Sequence, residues 1–197
     1  PYTLGWCNLS TLVHMRWTES EKAAAFGTYA KAVTGTPPPW RFPLDERDPP
    51  VETLVSGCVE APITGGCEFA YTLGTPWEVE FEGRIVVLDV SNQDAFWNKW
   101  LAQLHNAGKL QAAAGFIIVA QTFTDPPAER LRVDHSSPGG WPYLRDYLDE
   151  FITPLGKPTL LNVPMSHSRG AMPIPHGARV ELDATRASLT VLESIVA

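Results

Sequence analysis

The sequence predicts an α/β fold, with parallel strand–helix units followed by an antiparallel C-terminal hairpin. Two observations carry the parallel part. Arg84-Ile85-Val86-Val87-Leu88-Asp89-Val90 and Gly115-Phe116-Ile117-Ile118-Val119-Ala120 are apolar runs without alternation, as expected of strands covered on both faces. Between them Phe96, Trp100, Leu101 and Leu104 recur at helical spacing, with Ser91, Asn92 or Asp94 available as the cap and Gly108 as the terminator. Strand, helix, strand in that order is a βαβ unit, which implies a right-handed crossover and parallel pairing. The third observation is a pair of alternating runs, ARVELDA and SLTVLESI, around Thr185-Arg186; these predict the hairpin.

The remaining elements follow in order. Leu9, Leu12, Val13 and Trp17 give residues 8–17 an amphipathic helical pattern, entered from the turn Gly5-Trp6-Cys7. Residues 20–33, SEKAAAFGTYAKAV, form a second helical segment. From Thr34 to Pro50 six prolines predict an irregular surface excursion. A second punctuated stretch follows, with Gly57, Gly65, Gly66, Gly74 and Pro76. Residues 141–155 make a third helix, with Leu144, Tyr147, Leu148, Phe151 and Leu155 on one face; a strand at Thr159–Val163 comes after Gly156. No internal repeat is present.

Composition bounds the function. With 197 residues, 44% hydrophobic and 19% charged, the chain can bury a sizeable core. No window approaches the roughly 18 consecutive apolar residues of a membrane helix. A formal net charge of −7 argues against a nucleic-acid partner, which needs clustered Lys and Arg. Cys7, Cys58 and Cys67 are odd in number and lack CxxC spacing. That pattern suggests neither a disulfide framework nor a zinc site, and it points to a reducing, cytoplasmic setting. The chain opens on a strand-like stretch, without an initiator Met or a signal-peptide pattern, and reads as the continuation of something longer.

No G-x-S-x-G, Walker, HExxH or post-strand GxGxxG motif is present. What remains are Cys7 at a strand-to-helix turn, Asp89 at the end of a buried strand, and His167 in the loop PMSHSRG after another strand. All three fall at carboxyl ends of strands, where open α/β sheets place functional groups. A thiol is a nucleophile only as thiolate, and the helix N-terminus after Cys7 favours the anion. The N–H of Asn8 is placed to donate to an oxyanion, His167 to move a proton, and Asp89 to fix its tautomer. Each also has a plainer role: Cys7 as a buried hydrophobe, Asp89 as a helix cap, His167 as a solvated loop residue. His14, His105, His135 and His176 read as structural, and Trp6, Trp40, Trp77 and Trp141 as packing rather than pocket residues.

The chain resembles the LD-carboxypeptidase family of serine peptidases, the S66 group. The resemblance runs in order through LGWCNLSTL, GGCEFAYTLGTPWEVEFEGRIVVLD, DAFWNKWLAQLHNAGKLQAAAGFIIVAQTF and KPTLLNVPMSHSRGAMPIPHGARVELDATRASLTVLE. It sets Cys7 on the family's nucleophilic serine, Asp89 on its catalytic glutamate and His167 on its catalytic histidine. It implies two domains: residues 1–50 as the remainder of an N-terminal α/β domain with the nucleophile turn, and residues 51–197 as a C-terminal α/β swivelling domain carrying acid and histidine. It further implies no metal or cofactor, a homodimer, and a small peptide or peptide-conjugate substrate cleaved next to a free carboxylate. The family's first domain has no counterpart in the sequence, so a missing N-terminal segment or companion chain is expected.

The departures are Cys for Ser, Asn8 for Asp, Asp89 for Glu and Ser166 for Gly. They leave three functions in order: a hydrolase acting through a Cys7 acyl-enzyme, an acyltransferase or cyclising enzyme using the same thioester, and a non-catalytic binding homologue.

Overall fold

Two fully apolar runs cannot be left facing water, and in the computed structural model they lie side by side at the centre of a mixed sheet. The structure describes residues 3–5, 18–45, 50–66, 69–90, 97–119, 144–165 and 170–194. The sheet contains β2 (Trp40–Arg41), β3 (Glu52–Val55), β4 (Cys58–Gly66), β5 (Ile85–Asp89), β6 (Gly115–Val119), β7 (Thr159–Leu161), β9 (Arg179–Asp183) and β10 (Ser188–Val191). Their spatial order is β2-β10-β9-β4-β5-β6-β7-β3. Strands β4 to β7 are mutually parallel, while β9, β10 and β2 on one side and β3 on the other run antiparallel. Two further strands, β1 (Thr3–Gly5) and β8 (Ile174–His176), form a separate antiparallel ribbon. The predicted α/β class, the βαβ unit and the terminal hairpin are all present.

Every residue of β5 and β6 is buried, as continuous apolar runs require of strands covered twice. Alternation divides their side chains between the two faces. Val86, Leu88, Phe116 and Ile118 face the helices, among them α2 (Trp97–Asn106) and α4 (Leu144–Phe151), and meet Trp100, Leu104, Leu148 and Ile152. Ile85, Val87, Ile117 and Val119 face a second cluster with Ile63, Met165, Met172 and Ile174. Burying one such aliphatic side chain contributes roughly 1.5–3 kcal/mol.

The helix predicted over residues 20–33 is α1 (Glu19–Val33), opened by a capping box between Thr18 and Glu21. After α2 the chain turns at Gly108 (φ 75°) into the short α3 (Lys109–Ala112), whose carboxyl end is covered by Lys157. Its ammonium donates to the carbonyls of Gln111 and Ala113, and burial lowers its pKa. The third helix is shorter than predicted: α4 stops at Phe151, and Pro154 continues it only as a 3-10 turn, Thr153–Leu155. Strand β7 likewise ends at Leu161, because Asn162 takes a left-handed φ of 64°. The helix predicted over residues 8–17 and the caps Ser91, Asn92 and Asp94 lie outside the described residues.

Two expectations are corrected. The Pro-rich excursion is not wholly a surface loop: Trp40 and Arg41 pair with β10, and Trp40, Phe42 and Leu44 are buried in the core. Proline disfavours interior strands but is compatible with an edge position, and β2 is the edge. The glycine-punctuated stretch after it contains β4, nine residues long and central to the sheet. Val59, Ala61, Ile63 and Gly65 alternate with polar or exposed positions there, and Pro62 falls where β4 pairs with β9 before its parallel pairing to β5 begins at Ile63. Phe42→Ala tests the first correction: a core phenylalanine predicts a loss of about 3–5 kcal/mol in denaturant unfolding, a surface-loop one almost none.

Candidate active site

Asp89 is the last residue of β5 and is buried, 6% exposed. By alternation its side chain shares the face of Ile85 and Val87, opposite the helices. The strand position is held on one side by Val119, the register partner of Asp89, and just beyond it by the Val90 N–H donating to the Val119 carbonyl at 2.9 Å. Cys7, Asn8 and His167 lie outside the described residues. The nearest described residues are Gly5, before Cys7, and Met165 and Gly170, before and after His167.

Gly5 ends β1, two positions before Cys7, and is paired with Ile174 of β8; Leu4 pairs with Pro175 and Thr3 with His176. On the other segment, Met165 and Met172 bridge each other, and both are fully buried. Strand β8 is tied in turn to β4. The Gly177 N–H donates to the Ile63 carbonyl at 2.8 Å, and the Ile63 N–H donates to the Ala178 carbonyl at 2.9 Å. One step earlier, the Gly65 N–H donates to Nδ1 of His176 at 3.2 Å. The chain from Ile174 to Ala178 therefore descends β4 from Gly65 to Ile63, antiparallel to it. Strand β1, antiparallel to β8, runs in the same sense as β4 and β5. All three finish toward the carboxyl edge, the edge where α/β sheets carry ligand-binding and catalytic groups.

Glycine at position 65 makes this arrangement fit. A Cβ there would lie 2.5 Å from the Val87 Cβ and 3.2 Å from the Ile174 Cδ1. The tighter of these contacts is with Val87 on the neighbouring β5, and the one with β8 is to the flexible end of Ile174. His176 is half-buried, and burial pushes its pKa below the ordinary histidine value, so its ring is neutral and free to accept at Nδ1. Sequence reasoning took Gly65 for turn punctuation and His176 for a structural turn residue. The alternation from Val59 to Gly65 was the available signal, obscured by Pro62 and the glycine pair.

The opposite end of β4 carries a different cluster. The metal-binding atoms of Cys58, Glu181 and Asp183 lie within 4.8 Å of one another. Arg186 already provides the cation there, donating through Nε to Asp183 and lying 3.7 Å from Glu181. Burial, then Glu181 and Asp183, push the Cys58 thiol up, and the hydrogen bond from Arg186 holds the Asp183 carboxyl down. Of the tryptophans, Trp40 packs as expected, but Trp77 does not: it is 80% exposed, next to Glu78, which pairs with Lys109 at the start of α3. Trp6 and Trp141 lie outside the described residues.

Residues 53–182 match the model of the LD-carboxypeptidase C-terminal domain. The chain belongs to the LD-carboxypeptidase family. A Bacillus subtilis (strain 168) protein named as a probable murein peptide carboxypeptidase is 27% identical over 153 residues, 76% of this chain and 45% of its own length. Among solved structures, muramoyltetrapeptide carboxypeptidase from Oxalobacter formigenes aligns with a TM-score of 0.61 at 18% identity, covering 87% of this chain and 56% of that one. The microcin C7 self immunity protein MccF aligns with a TM-score of 0.60 at 18% identity, covering 75% and 42%. These likenesses show a shared fold, and the chain spans about half the length of the relatives it matches.

The close approach at Gly65 is open to test. Gly65→Ala is expected to cost about 1–3 kcal/mol through overpacking, and to raise amide exchange in β8 more than in β6. Equal stability to the unsubstituted protein would contradict the observed contact.

Proposed function

We propose that the chain acts as an LD-carboxypeptidase-like hydrolase that cleaves an amide bond next to a free carboxylate in a small peptide or peptide conjugate. Cys7 attacks the carbonyl carbon as thiolate, and the Asn8 N–H donates to the developing oxyanion. His167 takes the thiol proton and gives it to the leaving amine, with Asp89 holding the imidazole tautomer. Water then attacks the thioester and releases the acid. The steps are proton transfer and acyl transfer, and the named side chains supply both without a metal or cofactor.

The observation that carries this proposal is the shared direction of β1 and β5. The strand leading toward Cys7 and the strand ending at Asp89 finish at the same edge, and the ribbon partner of β1 is the strand that follows the His167 loop. Membership of a peptidase family supports the reaction class. On this proposal residues 1–50 supply the nucleophile and residues 51–197 the acid and the base. A further α/β segment, on the same polypeptide or on a companion chain, completes the pocket wall; the greater length of the relatives supports this. On the same proposal the enzyme works in a reducing, cytoplasmic setting and pairs as a homodimer. No helix among the described residues is long and apolar enough to cross a membrane.

Differential alkylation tests the nucleophile. Iodoacetamide is expected to modify Cys7 well before Cys58, whose raised pKa keeps it a thiol at neutral pH. Cys7→Ala should abolish covalent capture of an acyl donor, and Asp89→Asn should lower turnover by about 10²–10⁴. Alkylation of Cys7, Cys58 and Cys67 at one rate would contradict the assignment. Product analysis with added amine separates hydrolysis from acyl transfer: free acid throughout supports the former, a new amide the latter.

A further inference from the structure

Strand β4 loses its antiparallel partner beyond Pro62, where pairing with β9 stops. The next inward N–H groups on that side of the strand need other acceptors. The Ile63 N–H finds the Ala178 carbonyl; the Gly65 N–H finds a side chain, the Nδ1 of His176. The ring thus substitutes for strand backbone at Gly65, one step before the backbone hydrogen bonds between Ile63 and the Gly177-Ala178 segment. Since Gly65 is the donor, Nδ1 must be the bare nitrogen, and the ring proton sits on Nε2. His176 is also the register partner of Thr3, so the same residue ties β4 to β8 by its side chain and β8 to β1 by its backbone position.

We propose that His176 is a positioning residue: its neutral imidazole pins the β1–β8 ribbon to the carboxyl half of β4 and so sets where β1 delivers the chain relative to Asp89. The role rests on the proposed hydrolysis only for its consequence in turnover; the pin itself is a structural statement. Protonation of the ring places a hydrogen on Nδ1, removes the acceptor and releases Gly65. Among the described residues no charged group offsets this: burial is the cause of the lowered pKa, Thr3–Gly5 contains no titratable side chain, and those of β4 are Cys58 and Glu60 at its far end. On the neighbouring β9, Arg179 pairs with Glu60, while Glu181 and Asp183 are both held by Arg186. The sign follows from linkage. A histidine with a lowered folded pKa binds its proton more readily when unfolded, so the pin is intact above the ordinary value of about 6.5 and is lost as pH falls from there through the lowered folded value.

The test uses ¹⁵N-labelled protein, His176→Leu and His176→Gln. In the unsubstituted protein, His176 nitrogen shifts should report the Nε2–H form near pH 7.5, and below about pH 6.5 Gly65 amide protection should fall in step with His176 protonation. His176→Leu should exchange Gly65 about fivefold faster at pH 7.5, the loss of one hydrogen bond, and should remove the pH dependence. His176→Gln, whose carbonyl oxygen can accept the same N–H, should restore most of the protection without restoring the pH dependence. For turnover of a peptide substrate, His176→Leu should lower kcat more than it changes KM, with rescue by Gln. If Gly65 exchanges alike in the Leu variant and the unsubstituted protein, the positioning role is overturned whatever the turnover. If exchange follows His176 but no protein turns over a peptide, the positioning role stands and the proposed hydrolysis fails. Should His176→Leu not fold, Gly65 protection that stays constant in the unsubstituted protein while the His176 nitrogen shifts pass from the neutral to the protonated form overturns the proposal alone.

Discussion

The candidate site depends on how closely β8 approaches β4. At Gly65 the two strands meet with no side chain from β4 between them, and a single Cβ would overlap Val87 and crowd Ile174. A two-stranded ribbon in water is marginal on its own. The β1–β8 ribbon is held because Ile174 is buried in the same cluster as Ile63 and Val87, and because Gly177 and Ala178 continue the hydrogen bonding to β4. Strand β1 therefore takes its direction from β4 at one remove. The contact at Gly65 is thus one of several ties that fix β1 relative to β4 and β5.

The sheet has two faces and two edges, and they carry different duties. The helical face is packed by large apolar groups such as Trp100, Leu104 and Leu148 and holds no buried charge among the described residues. The ribbon face places a buried carboxylate, Asp89, at its carboxyl edge. The charged contacts of the opposite edge are of another kind. Lys157 covers the carbonyls that end α3, Lys109 pairs with Glu78, and Arg186 neutralises Asp183 at the turn between β9 and β10. Each of these closes a turn or a helix end, whereas Asp89 ends a strand at the edge where the candidate segments converge.

The strands legible in the sequence were those whose pattern had one cause. Ile85–Leu88 and Phe116–Val119 are apolar because both faces are covered, and the final hairpin alternates because its two faces differ. Strand β4 was harder to see. Its alternation is real, but Pro62 and Gly65-Gly66 resemble turn residues, and the reason for the first two is tertiary: Pro62 falls outside the parallel pairing, and Gly65 is required by Val87 on the adjacent β5, with Ile174 of β8 also close. Trp40 and Phe42 were hidden for a similar cause, since the prolines around them are compatible with an edge strand that only the folded sheet defines. At the site, Asp89 was legible as a strand-terminal carboxylate, and the nucleophile and histidine assignments came from family resemblance. His176 was not legible as a functional residue, because nothing local marks a histidine that accepts from a glycine on another strand.

The central claim is that β1 is delivered to the carboxyl edge by pairing with β8. Pro175 has no N–H to donate, so Leu4 and Pro175 face each other as the non-hydrogen-bonded pair, the one with the closest Cα atoms, about 4.5 Å apart. The most direct measurement is the nuclear Overhauser effect between the Hα protons of Leu4 and Pro175 in isotope-labelled protein. A strong Hα–Hα cross-peak is expected, accompanied by cross-strand contacts from Thr3 to His176 and from Gly5 to Ile174. A well-resolved Leu4 Hα with no contact to Pro175, in a protein whose β4–β5 ladder is intact, would contradict the account.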